Sequence, residues 1–368
     1  MLSAGVAVAM SVGLVVSLPD GRNDLLIGAD VDGGAMAGGP PEPVPPSFKP
    51  LVAGSPAVPP PPVTETLTIT FGGDVHAVGG AGEALAAGLP TLGTALSDAD
   101  LTMVNLETAI TERGTAVSKQ YAYRAPASML RVLKNAGVDV VTVANNHGMD
   151  YGVQGLRDTV AAAEDVGLAA VGIGLDEERA YAPHIATVRG QRIAVLAATQ
   201  VLDASVLTAW TAGPDKPGLA SAKREKRLVA EVERARADAD VVVVYLHWGR
   251  ELEPCPLPRQ VSLATALVKA GADVVVGSHA HVMLGSGYLG DAYVDYGLGN
   301  FIFNTKGGEG ARSGLLTLTL QGGSVTDSQW TPAFIRNGTP YLLQGAAAEA
   351  ERAEKERRRG CTELSAQP

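Results

Sequence analysis

The sequence predicts a mixed α/β (α+β) fold with two central sheets, and three observations carry that expectation. Between residues 67 and 278, short apolar runs bounded by Gly, Asn or Asp alternate with stretches of helical period, the pattern of a buried sheet covered by helices. From residue 292 onward the pattern shifts to short strands and turns, enough to close a second sheet. Several apolar runs end in His, Asp, Asn or Glu, and strand ends are where α/β sheets assemble their sites.

The first element, Leu2 to Leu18, is continuously apolar up to Pro19 and Asp20. It reads as an export signal or membrane anchor over residues 1–18; it lacks a basic region apart from the amino terminus and is short for a span, and a buried core helix is the alternative. Residues 19–66 read as a linker. From Gly33 to Pro62 it is dominated by Gly and Pro, a composition that cannot bury a core and is expected to be weakly ordered.

The main domain, residues 67–335, begins with LTITF and continues through LTMVN, VDVVTVA, IAVLAA, VVVVYL and DVVVGS. Helices are expected at Gly82 to Ser97, Ala127 to Asn135, Gln154 to Val166, Ala220 to Ala237 and Pro258 to Lys269, where apolar residues recur at helical spacing. Strands of the second sheet are expected at Ala292 to Tyr296, Ser313 to Leu320 and Val325 to Trp330. Residues 336–368 hold AAAEAERAEKERRRG, a charged helix former expected to be a solvated tail without chemistry. The two cysteines, Cys255 and Cys361, either pair in an oxidising compartment and tie the tail to the domain, or are two buried thiols.

A formal charge of -10 argues against nucleic acid as a partner, since polyanion binders cluster Lys and Arg to displace counterions. The six histidines are informative by position. LTITF runs into Asp74 and His76, LTMVN into Glu107, VDVVTVA into Asn146 and His147, VVVVYL into His247, and DVVVG into His279 and His281. Alternate residues of a strand point the same way, so Asp74 and His76 are expected to ligate one ion together. Gly73, Gly249 and Gly277 let backbones approach closely. One Asp-X-His or His-X-His alone is weak, because a polar strand end is most often a cap or a turn; five such ends together point to a dinuclear metal site. His184 has no such company and is excluded from it.

In their order along the chain, GDVH, NLETAIT, ANNHGMDYG, YLHWGRE, GSHAHV and YGLGNFIF resemble the CapA-type family, named for poly-γ-glutamate capsule synthesis, within the calcineurin-like metallophosphoesterase superfamily. The match covers roughly Leu67 to Phe303. It implies a four-layer αββα metallophosphatase sandwich with two central mixed sheets, and two divalent metal ions of Mn, Fe or Zn. Asp74, His76 and His281 would hold the first ion, Asn146, His247 and His279 the second, and Glu107 would bridge them. His147 would act on the reacting group, and Asp150 would either orient it or cap the next helix. The family often has an apolar residue at the position of His76, where this histidine restores the wider phosphoesterase pattern. The SHAHV segment has Ala280 in place of a common proline. Trp248 and Tyr151 would line the cleft or pack the core, and Asn300 would support the site or shape a turn.

The expected function is that of an exported metal-dependent hydrolase acting in synthesis of poly-γ-glutamate or another surface polymer. The alternatives are a metal-stabilised polymer-binding or transport component without turnover and a stand-alone phosphoesterase. Expected partners are an anionic surface polymer or a phosphoester substrate, with capsule-synthesis membrane proteins nearby. The expected location is extracytoplasmic, membrane-anchored or secreted.

Overall fold

A computed structural model describes residues 65–368; the expected signal or anchor and the Gly- and Pro-rich stretch lie outside the described residues. Within them, two sheets stack face to face. The first has the order Thr339–Leu342, Ser324–Arg336, Arg312–Gln321, Thr66–Val75, Leu101–Leu106, Val140–Thr142, Ala169–Val171, with Asn300–Ile302 paired to the end of Thr66–Val75. The second runs Ser286–Leu289, Ala292–Asp295, Val274–Ser278, Val241–His247, Gln191–Thr199, His184–Val188.

The strand Val241–His247 shows why its sequence is apolar at every position but the last. Val241, Val243 and Tyr245 point inward to Leu67, Ile69 and Phe71 of the first sheet, while Val242, Val244 and Leu246 point outward into the cluster shared with helices Glu225–Asp238 and Pro258–Lys269. A strand buried on both faces loses the usual polar alternation. Each such side chain contributes roughly 1.5–3 kcal/mol by leaving water. On the far side, Val104, Leu106 and Val141 of the first sheet pack against helices Ser128–Asn135 and Gly152–Val166. The layers are therefore helix, sheet, sheet, helix, the four-layer αββα arrangement.

Gly73 and Gly277 set how closely the site segments approach. A Cβ on Gly73 would lie 1.9 Å from Gly299 O, and one on Gly277 would lie 2.1 Å from Trp248 Nε1. Trp248 itself is fully buried, donates to Tyr296 O at 2.9 Å and stacks on the Tyr296 ring, so it packs the core. Tyr151 carries the Arg124 guanidinium over its ring at 5.1 Å.

The C-terminal segment is not a solvated tail. Thr339–Leu342 completes the margin of the first sheet, and helix Gly345–Arg358 buries Ala348 and Lys355. Its charges are used internally: Arg312 pairs with Glu351 at 2.7 Å, and Lys355 with buried Asp295 at 2.7 Å. A charged helix can pack when its charges find partners inside the fold, and those partners are remote in sequence. Cys255 and Cys361 form a disulfide, with Cα atoms 5.7 Å apart. Beyond it, Tyr288 and Ser365 exchange two backbone hydrogen bonds at the margin of the second sheet, of 2.8 and 2.9 Å. Among the described residues no helix is long and apolar enough to cross a membrane.

Candidate metal centre and its cleft

The ends of Thr66–Val75, Leu101–Leu106, Val241–His247 and Val274–Ser278 meet at one edge of the stacked sheets and deliver most of the candidate ligands. Two trios have ligand atoms within 4.8 Å of one another: Asp74, Glu107 and His281, and Glu107, His247 and His279. Glu107 belongs to both. Its carboxylate is fully buried, and neither oxygen has a hydrogen-bond partner. Instead, imidazole nitrogens surround Oε1: His247 Nε2 at 3.7 Å, and His147 Nε2 and His281 Nε2 each at 3.9 Å. His279 Nδ1 is likewise buried and unpartnered. Buried polar atoms are rarely left orphaned, and a cation shared across these atoms would satisfy the carboxylate and the imidazole together.

The electrostatics make the same demand. Burial pushes Glu107 well above the usual carboxylate range, and the Asp74 charge adds to it. Burial also works to raise Asp74, but the hydrogen bond and charge of His281 bring it below its ordinary value. His281 is pushed up to about 10: burial opposes the shift, and the Glu107 and Asp74 carboxylates override it. Burial holds His279 down at about 3 and His247 well below its ordinary value. Two buried carboxylates thus compete for positive charge while two neutral imidazoles offer lone pairs, a donor set that fits divalent cations of the Mn, Fe or Zn kind.

A surrounding set of hydrogen bonds fixes the donors. Asn105 Nδ2 donates to Asp74 Oδ1 at 2.7 Å and lies 3.1 Å from His247 Nδ1. Asn145 holds Asn105 at 3.0 Å. Asn146 Oδ1 stands 2.8 Å from His247 Nε2, which places it beside the second trio. Asn300 Oδ1 lies 2.8 Å from His281 Nδ1, so Asn300 supports the site directly. His279 and His281 both sit at positive φ, 91° and 55°, on the turn after Val274–Ser278. Non-glycine residues there are strained, and such strain concentrates at functional sites.

His76 is not brought to either trio. Its Nδ1 lies 2.9 Å from Val78 N and its Nε2 3.0 Å from Asn304 N; the neutral ring has a single lone pair, so it accepts from one of these two N–H groups. The reason is local: the pairing of Thr66–Val75 with both neighbours shifts register around Asp74, so the simple alternation from Asp74 to His76 fails. His76 packs instead, stacked with Tyr123 at 5.0 Å and edge-on to Phe303. His184 lies on the marginal strand His184–Val188, outside both trios.

His147 faces the centre from the side. Its Nδ1 lies 2.7 Å from Asp150 Oδ2, and Tyr123 stacks on its ring at 4.2 Å. Asp150 is fully buried, also accepts the Tyr123 N–H and pairs with Lys119 Nζ at 2.6 Å. It orients His147 and does not cap the helix, whose preceding residue is Tyr151. Lys119 and Tyr123 went unforeseen, since both come from an irregular stretch without periodicity. A cleft of about 470 Å³ opens over His147, Asn146 and His279, with Lys119, Tyr121, Arg250 and Glu251 on its walls; Tyr151 and Trp248 are not among them.

Comparison with known proteins gives a consistent account. The family model described as "Bacterial capsule synthesis protein PGA_cap" matches residues 68–305. A capsule biosynthesis protein CapA of Bacillus anthracis is 32% identical over 220 residues, 59% of this chain and 53% of that protein. A PGA biosynthesis protein CapA of Bacillus subtilis is 33% identical over 213 residues, 57% of this chain and 54% of that protein. The chain therefore spans about half the length of these curated relatives. A phosphatase of Mycoplasma pneumoniae aligns over 78% of this chain and 97% of its own at 14% identity, with a TM-score of 0.48.

Proposed function

The chain belongs to the family of bacterial capsule synthesis proteins, and from that premise we propose that it is an exported metal-dependent hydrolase working in the synthesis of poly-γ-glutamate or another anionic surface polymer. The observation that carries the reading is the buried, unpartnered Glu107 carboxylate shared by two trios of ligands. The polymer is suggested by the names of the two Bacillus relatives. Export is supported by the Cys255–Cys361 disulfide, since disulfides persist in oxidising compartments.

Two divalent ions would be held by Asp74 and His281 on one side and by Asn146, His247 and His279 on the other, with Glu107 between. When bound, such ions supply Lewis acidity toward a phosphoryl or acyl oxygen. The rest falls to the chain's own side chains. With Nδ1–H given to Asp150, His147 keeps Nε2 as the position that takes or gives a proton at the reacting group. Lys119 neutralises Asp150 and so holds the pair in the cleft wall. The test is metal analysis of the purified chain together with a screen of phosphoesters and γ-glutamyl peptides. Two equivalents of metal and turnover of one class are expected. Metal without turnover of either class would favour a polymer-binding component, and a chain that takes up no metal would overturn the reading.

A further inference from the structure

The His281-bearing turn and the Asn300-bearing segment meet beneath the C-terminal helix. After His281, the chain runs through Met283 and Leu284; Leu284 N–H donates to Gly297 O at 2.9 Å, and Tyr296 N–H donates to Gly285 O at 3.1 Å. The second segment then leads through Gly299, whose carbonyl accepts Asp74 N–H at 3.0 Å, to Asn300, which contacts His281 Nδ1. The placement of Asp74, His281 and Asn300 therefore depends on how these two segments cross.

Helix Gly345–Arg358 clamps that crossing from outside. Lys355 Nζ donates to Leu284 O at 2.9 Å on one segment and Gly297 O at 3.3 Å on the other, and is held by Asp295 carboxylate oxygens at 3.0 and 2.7 Å. Its side chain is almost fully buried and lies over the Trp330 ring at 4.8 Å. Three residues on, Arg358 donates to Met283 O and pairs with Glu354 and Glu309. The disulfide then ties Cys361 to Cys255, six residues beyond the cleft-lining Gly249. A lysine with two carbonyls from different segments and a buried carboxylate is an expensive way to attach a helix, and a cheap apolar contact would have served attachment alone.

We infer that Lys355, assisted by Arg358, is a positioning residue of the metal centre, fixing the His281 turn against the Asn300 segment from the C-terminal helix. The inference rests on the metal-binding reading above. Groups that orient ligands typically change metal affinity by roughly 10–100-fold when removed.

The experiment titrates the full chain with Mn2+ and separately with Zn2+ by calorimetry, comparing wild type, the Lys355→Met/Asp295→Asn double variant and Ala348→Gly, which weakens the same helix without touching the crossing. The double variant avoids leaving Asp295 charged and unpaired. Wild-type uptake, affinity at least about tenfold weaker in the double variant and unchanged affinity in Ala348→Gly are expected. Equal affinity in the double variant, or equal loss in Ala348→Gly, would overturn the positioning role while leaving the metal centre standing. A wild-type chain that takes up neither ion overturns both. Should the double variant fail to fold by circular dichroism, Arg358→Ala takes its place: weaker binding supports the inference, and wild-type affinity sinks it.

Discussion

Glu107 is where the cost of the site is concentrated, since its carboxylate is taken out of water without a hydrogen bond in return. Glu107→Gln should therefore leave the metal-free chain no less stable while abolishing metal uptake, read as the melting temperature in chelator and the metal content after dialysis. Asp74→Ala and His279→Ala should lose metal, and His184→Ala should not. His76→Phe should keep it, because the ring stack on Tyr123 survives, and should lose about 1–3 kcal/mol for the one backbone N–H, of Val78 or Asn304, whose acceptor is removed. His147→Ala should retain metal but lose roughly a hundredfold to ten-thousandfold in turnover; loss of metal in proportion to activity would make His147 a ligand. The donors at strand ends were legible in the sequence because an apolar run that stops at His, Asn or Glu marks both the strand and its exit. His76 stands apart from the two trios because a register shift is a property of two strands, invisible in one. Lys119 and Tyr123 were missed for a related reason: only the folded path of residues 111–123 brings them to Asp150 and His147.

At the scale of elements, the long strands and most helices were readable from period and burial, and Pro258–Lys269 carries its own start signal in Pro258. The helix expected from Gly82 stops at Ala86, followed by Gly88 at positive φ. Ala169–Val171, His184–Val188, Ser286–Leu289, Asn300–Ile302 and Thr339–Leu342 are too short to show a period, and exist because a neighbouring strand offers them partners. The charged C-terminal helix was misjudged since nothing local distinguishes Lys355, which is buried, from its exposed neighbours. The disulfide of that segment closes a loop of 106 residues. Cys361→Ser should cost about 2–4 kcal/mol in urea unfolding followed by circular dichroism; an unchanged midpoint would show that the helix is held by its ion pairs alone.

For the whole molecule, ligand binding and folding are linked. An ion that binds only the folded centre should stabilise the chain by about 2.7 kcal/mol at a hundred times its dissociation constant, visible as a metal-dependent rise in melting temperature that Glu107→Gln abolishes. The layered architecture also leaves each sheet with margins, and the two backbone bonds between Tyr288 and Ser365 bear on one of them. Ser286–Leu289 is the outermost strand there, with Tyr288 bridged to Ser365. An open strand margin is a template on which a second chain can add. Ser365 should then act as a stopper on lateral growth, to be read in colloidal behaviour: Ser365→Pro, which removes the donated N–H, should leave the fold intact but raise concentration-dependent association in light scattering.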